Sequence, residues 1–120
     1  MPKLSALTLF VPDLASATAF YCDVLGFAVQ ANYGPELLQL QHDGVALILC
    51  RCERSTAPAY PSAAQAVPGF AIADAAAELR RLRERGVALV FDAPQEFPLG
   101  RFIAVRDPGA NAIELLEYTR

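Results

Sequence analysis

Phe10-Val11-Pro12-Asp13-Leu14-Ala15-Ser16-Ala17-Thr18-Ala19-Phe20-Tyr21-Cys22-Asp23-Val24-Leu25-Gly26-Phe27 contains the end of a strand, a whole helix and the restart of a strand. The apolar run from Leu4 to Val11 reads as a strand that Pro12-Asp13 breaks, and Asp13 or Ser16 can cap the helix beyond it. Leu14, Ala17, Phe20, Tyr21, Val24 and Leu25 fall on a helical stripe, so this helix buries one face. Gly26 supplies the left-handed residue that closes it, and Phe27 to Gln30 resumes as a strand.

The same order recurs further along. Leu37, Leu38 and Leu40 form a strand, and His42-Asp43-Gly44 turns the chain into Val45 to Cys50. Residues 53–66 are rich in Pro, Ser, Ala and Thr, with Pro58 and Pro61 interrupting any element, as in a linker. Val67 to Ala73 then reads as a strand, and Asp74 caps a helix with Ala75, Leu79 and Leu82 on its inner side. Gly86 closes that helix, Val87 to Phe91 is a strand and Pro94 to Gly100 a loop. Phe102 to Val105 is a strand, Asp107-Pro108-Gly109 a turn, and Ala112 to Tyr118 the last strand. Asp13 thus pairs with Asp74, Gly26 with Gly86 and Gly44 with Gly109.

The pattern predicts one α+β domain over 1–120, built from two βαβββ modules (about 2–53 and 67–120) joined by a linker of about 54–66. Each module exposes an apolar sheet face that it cannot bury alone. Two four-stranded antiparallel sheets would pair around a cupped pocket, with the helices outside and the concave face left for a ligand.

Composition fits this reading. Apolar residues make up 54% and charged ones 19%, as in a packed globule. Thirteen acids against ten bases give a net charge of -3, too mild and mixed to steer the chain onto nucleic acid or an anionic membrane. The opening Met1-Pro2-Lys3-Leu4-Ser5 has no signal-peptide core, and the longest apolar run, Val45 to Cys50, is too short to cross a bilayer. Three cysteines without a secretory signal suggest free thiols and a cytoplasmic location.

The Phe10–Phe27 stretch resembles the opening signature of the vicinal-oxygen-chelate superfamily, which includes glyoxalase I, extradiol dioxygenases, fosfomycin-resistance enzymes and bleomycin-binding proteins. Leu99-Gly100-Arg101-Phe102-Ile103-Ala104-Val105-Arg106-Asp107-Pro108, followed by Asn111-Ala112-Ile113-Glu114-Leu115, resembles the closing hairpin of that group. The resemblance covers essentially the whole chain. It implies the duplicated fold and leaves function open, because one such fold hosts unrelated activities. One departure concerns the last turn. Relatives place glycine just before the asparagine, whereas here Gly109 comes one residue early and Ala110 takes that place, so a different turn geometry is expected.

In metal-using relatives, histidine or glutamate side chains from both halves converge on one divalent ion. The positions that the resemblance assigns to these ligands are Ala6, Ile48, Val67 and Glu114. Three of the four are hydrocarbon, and a single carboxylate falls short of the usual three protein ligands. No metal and no other cofactor is expected. Glu114 then reads either as an acid satisfied at a pocket wall, or as a polar anchor or general base for a ligand.

Cys50 and Cys52 share parity with Ile48 and would face the cup if the strand continues that far, as small apolar wall residues or as two thiols of a soft-metal site for which no third ligand is evident. His42, the one histidine, sits in a turn and reads as solvated, and Arg80-Arg81-Leu82-Arg83-Glu84-Arg85 reads as a solvated helix face. Tyr60 and Phe97 lie on loops and would either close over the cup as lids or anchor their loops to the surface.

The leading expectation is a metal-free, bleomycin-resistance-like binding protein for a small hydrophobic, aromatic or cationic molecule. Its ligand-binding set is Ala6, Thr8, Ile48, Cys50, Val67, Phe102, Glu114 and Tyr60. By the resemblance it would be a homodimer with a small-molecule ligand and no nucleic-acid or membrane partner. The alternatives are a glyoxalase-related lyase, isomerase or dioxygenase with Glu114 in a non-standard site, and a structural dimer with a filled interior.

Overall fold

Two aspartates start the two helices, as their spacing predicted. The Asp13 carboxylate accepts from the amides of Ala15 and Ser16 at 3.1 and 3.4 Å, and Asp74 accepts from Ala77 N at 3.1 Å. Each bond satisfies amide groups that the first helical turn leaves unpaired, a contribution of about 1 kcal/mol per cap. The computed structural model describes residues 1–119, which divide into two compact units, one of Met1–Ala57 and one from Pro58 onward.

The first unit runs β1 (Ala6–Val11), α1 (Leu14–Ala19), β2 (Val29–Asn32), β3 (Leu37–Leu40) and β4 (Ala46–Arg51). α1 continues into a π-helical turn at Phe20–Val24, where Leu25 N bonds to Phe20 O at 3.1 Å. Ala17, Phe20 and Tyr21 carry the buried side of this helix, and the Tyr21 ring packs edge-on to Phe20 at 5.1 Å. The second unit runs β5 (Gly69–Ala71), α2 (Ala75–Glu84), β6 (Ala88–Leu89), β7 (Gln95–Phe97), β8 (Gly100–Arg106) and β9 (Ala112–Tyr118). Ala75, Leu79 and Leu82 are the buried residues of α2, the stripe expected. The α+β class and the repeated module are therefore as the sequence predicted, and several details differ.

The sheets are mixed rather than antiparallel. In the first unit the order is β1-β4-β3-β2, with β1 parallel to β4 and the other pairs antiparallel. In the second, β5 runs parallel to β9, β8 lies between β9 and β6, and β7 also pairs with β8. A helix and further strands separate each module's first strand from its last, and a connection of that length permits parallel pairing where a hairpin cannot. The stretch 94–100, expected as a loop, contains β7, so the second sheet has five strands.

β1 starts at Ala6 rather than Leu4, and β5 is only Gly69–Ala71, so Val67 precedes the strand instead of opening it. β4 ends at Arg51, which leaves Cys52 beyond the ladder with its amide bonded to Val11 O at 3.0 Å. Within the expected linker, Tyr60 begins a turn that Ala63 N closes onto Ala59 O.

The last turn corrects another expectation. Ala110 itself adopts φ +67°, the conformation glycine was expected to be needed for. Gly44 holds φ +82° in the first module's turn, so its conformational counterpart is Ala110 and not Gly109. The buried Asp107 imposes the geometry, accepting from Gly109 N and Asn111 N at 2.9 Å and from Asn111 Nδ2 at 3.0 Å.

Candidate functional site

Side chains alternate across a strand, so register assigns every β8 and β9 residue to one of two faces. Ile103, Val105, Ile113 and Leu115 are fully or almost fully buried on the face that α2 covers. Glu117 shares that face. It is 7% exposed, accepts from Ala75 N at the start of α2 at 2.8 Å, and pairs with Arg101 Nη2 at 3.2 Å. The Ala75 amide and the Arg101 guanidinium hold its carboxyl below the usual carboxylate range. Glu117 thus ties β9 to α2.

Glu114 lies three residues earlier and faces the opposite way. Its ladder neighbours are Ala104 on β8 and Gly69 on β5, and Phe102 and Leu116 continue the same face. A Cβ placed on Gly69 would meet Leu116 Cδ1 at 2.7 Å, which confirms that these two residues share a side. Two carboxylates on one strand are therefore sorted by parity onto opposite faces of the sheet.

This face is aromatic. Tyr60 lies 6.3 Å from Phe91, Phe91 6.0 Å from Phe102, Phe102 5.8 Å from Phe97, and Phe97 6.0 Å from Tyr118, all edge-on. Such contacts contribute about 0.5–1.5 kcal/mol each beyond simple burial. Five rings make a continuous apolar row along the second unit's sheet. Next to its end, the Tyr60 hydroxyl donates to Glu114 Oε2 at 2.5 Å. Burial, then the Glu114 hydrogen bond, then the charge of that carboxylate push the Tyr60 hydroxyl well above the ordinary tyrosine range. Tyr60 therefore stays a protonated donor at neutral pH.

In the first unit, Ala6 pairs with Ala46, Thr8 with Ile48 and Phe10 with Cys50. Leu7, Leu9, Val11, Leu47 and Leu49 take the opposite parity, and the last four of these are buried. Ala6, Thr8, Ile48 and Cys50 therefore share the outer face of that sheet with the exposed Phe10, while Cys52 lies off the strand with its thiol 3.5 Å from Arg54 O. Of the ligand-binding residues predicted, Glu114, Tyr60 and Phe102 come together on one face of the second unit, and Val67 lies just before β5. His42 is exposed in its turn, with Nδ1 3.0 Å from Val45 O. Phe97 packs between Phe102 and Tyr118 and is part of the aromatic row.

Nothing in the sequence marks Phe91 as a site residue. It lies just beyond β6, where the sequence shows only a strand end before Asp92. Its one available signal is aromatic character in a module already rich in phenylalanine.

The metal positions that the resemblance assigns do not fit an ion. Ala6, Ile48 and Val67 carry no donor atoms, and Glu114 is engaged by Tyr60. Among the described residues, no group of three or more His, Cys, Asp or Glu side chains could hold one. Among the same residues, no helix is long and apolar enough to cross a membrane.

Two βαβββ modules with mixed sheets and an acid on the last strand define a vicinal-oxygen-chelate type of protein. The profile of the Glyoxalase/Bleomycin resistance protein/Dioxygenase superfamily matches residues 3–115, and the chain belongs to that family. No curated protein matches closely enough to narrow the activity.

Solved structures share the fold. The fosfomycin resistance protein FosX from Listeria monocytogenes has a TM-score of 0.79 at 20% identity, covering 99% of this chain and 94% of that one. A glyoxalase/bleomycin resistance protein/dioxygenase from Alicyclobacillus acidocaldarius has a TM-score of 0.76 at 20% identity, covering 98% and 92%. A lactoylglutathione lyase from Agrobacterium tumefaciens is 25% identical with a TM-score of 0.68, covering 98% and 94%.

Proposed function

We propose that this chain is a metal-independent small-molecule-binding protein of the glyoxalase/bleomycin-resistance type, sequestering a drug or an aromatic metabolite. The observation that carries the reading is Glu114, a half-buried carboxylate at the end of a row of aromatic rings on the sheet face opposite α2. Apolar walls with one or two placed polar groups are the usual composition of a small-molecule site. In the first unit, Ala6, Thr8, Ile48 and Cys50 offer a second face of small and apolar side chains. The missing donors at Ala6, Ile48 and Val67 support binding without an ion.

The competing reading is a lyase, isomerase or dioxygenase with Glu114 as general base. That role requires a free carboxylate lone pair directed at substrate, and the Tyr60 hydroxyl takes up part of that capacity. A homodimer is part of the proposal, to be measured by light scattering on the eluting protein.

The deciding experiment is a calorimetric binding screen of aromatic antibiotics and metabolites in the presence of a chelator, with Glu114→Gln alongside. Chelator-insensitive binding that weakens in Glu114→Gln is the expected result. Stoichiometric zinc, nickel, manganese or iron in the purified protein, with binding that chelation abolishes, would overturn it. Binding unchanged by Glu114→Gln would remove Glu114 from the site.

A further inference from the structure

Tyr60 ties the segment between the modules to the last strand. It stands in the segment between Pro58 and Pro61, outside every strand and helix, and reaches Glu114 across 54 residues of chain. Its ring lies edge-on to Phe91 at 6.3 Å and 66°, and Phe91 stands in turn edge-on to Phe102 at 85°. Its hydroxyl donates to Glu114 Oε2 at 2.5 Å. The face thus presents a carboxylate acceptor and an aromatic ring, and the Tyr60 phenol contacts both.

We propose that this subsite takes a hydroxyaryl group, with the Tyr60 side chain as an internal occupant that an incoming phenol displaces. The proposal rests on the binding reading above and names its ligand class. A ligand hydroxyl donates to the Glu114 carboxylate, and its ring repeats the contact with Phe91.

Two features of the site favour a neutral phenol. Glu114 Oε2 already accepts a phenolic hydrogen at 2.5 Å, so a ligand phenol enters as a donor and keeps its proton. An aryl group without a donor would leave the half-buried carboxylate with a lost hydrogen bond. The short tether makes Tyr60 a competitor at a local concentration on the order of millimolar, so a free phenol binds the wild-type chain weakly until the tyrosine ring swings away. The loop from Pro58 to Pro61 then acts as a shutter whose closed form copies the bound state.

The test uses p-cresol as the phenol, toluene as its isostere without a hydroxyl, and benzylamine as a cationic aryl, titrated against the full chain by calorimetry. In Tyr60→Ala the internal occupant is gone, and p-cresol is expected to bind roughly tenfold or more tightly than to wild type. It should also exceed toluene by about tenfold, the value of a charge-assisted hydrogen bond at a partly exposed site. That preference should vanish in Tyr60→Ala/Glu114→Gln.

If Tyr60→Ala does not fold, fluorotyrosine-labelled wild type supplies the same answer. The Tyr60 fluorine signal should move with p-cresol and stay in place with toluene. Equal binding of p-cresol and toluene would overturn the phenol assignment and leave the binding reading intact, and so would a preference for benzylamine. No binding of any aryl probe to folded Tyr60→Ala, with no hit in the wider screen, would overturn both.

Discussion

Tyr60→Phe removes one hydroxyl and leaves the ring, so it isolates the bond to Glu114. That bond is charge-assisted and short at 2.5 Å. Hydrogen bonds to charged groups contribute about 1.5–3 kcal/mol when shielded. Tyr60 and Glu114 are both half-buried, so water reaches the vacated carboxylate and reduces the expected loss to about 1 kcal/mol at neutral pH. The pH dependence gives a second, independent readout. Folding raises the tyrosine above its ordinary value of 10.0, through burial first and Glu114 second. A group raised in the folded state contributes fully below its unfolded value, and the contribution fades as pH rises through the folded one. Above about pH 10 the wild type should lose stability relative to Tyr60→Phe, with a ceiling of about 1.4 kcal/mol per pH unit that solvent screening lowers. Urea unfolding of both proteins, followed by far-ultraviolet dichroism at about pH 7 and roughly pH 10.5, measures both effects. Groups common to the two chains cancel in the difference. Identical stabilities at neutral pH, or parallel losses at high pH, would refute the assigned bond.

Three further outcomes follow from geometry elsewhere. Ala110→Gly relieves a left-handed alanine at φ +67°, and after the entropic cost of glycine it should stabilise the fold by about 0.5–1 kcal/mol, seen as a rise of a few degrees in melting temperature. Gly100→Ala should be severely destabilising, on the order of 3 kcal/mol or more, because its Cβ would lie 2.0 Å from the backbone carbonyl oxygen of Glu117 at φ +154°. Glu117→Gln should destabilise the chain at neutral pH in chemical denaturation. Since folding lowers the Glu117 pKa, its contribution is present above the unfolded value of 4.5 and disappears as pH falls through the folded one, so the variant should have a flatter acid profile than wild type.

The amino-acid sequence by itself determined the elements and their repetition, because those depend on neighbours a few residues apart. Asp13 and Asp74 cap their helices through bonds spanning two or three residues, Gly26 and Gly86 both take positive φ at the helix ends, and the Ala75, Leu79 and Leu82 stripe buries as its spacing requires. Alternation likewise made β9 legible, but the placing of Glu114 and Glu117 on opposite faces came from the structure, where α2 covers the Glu117 side. Only the tertiary structure decided what required distant segments to meet. The parallel pairing of β1 with β4 and of β5 with β9 depends on crossovers that local propensity does not encode. Ala110 keeps the left-handed turn because buried Asp107 holds three donors around it, an energy that outweighs the propensity of one alanine. Tyr60 had two open readings on a proline-rich loop, and its position was settled by a carboxylate 54 residues away and by a ring, Phe91, whose own location depends on the packed sheet. The frame of the site is written locally, but its chemistry forms only when the sheet brings a loop tyrosine to the acid on its last strand.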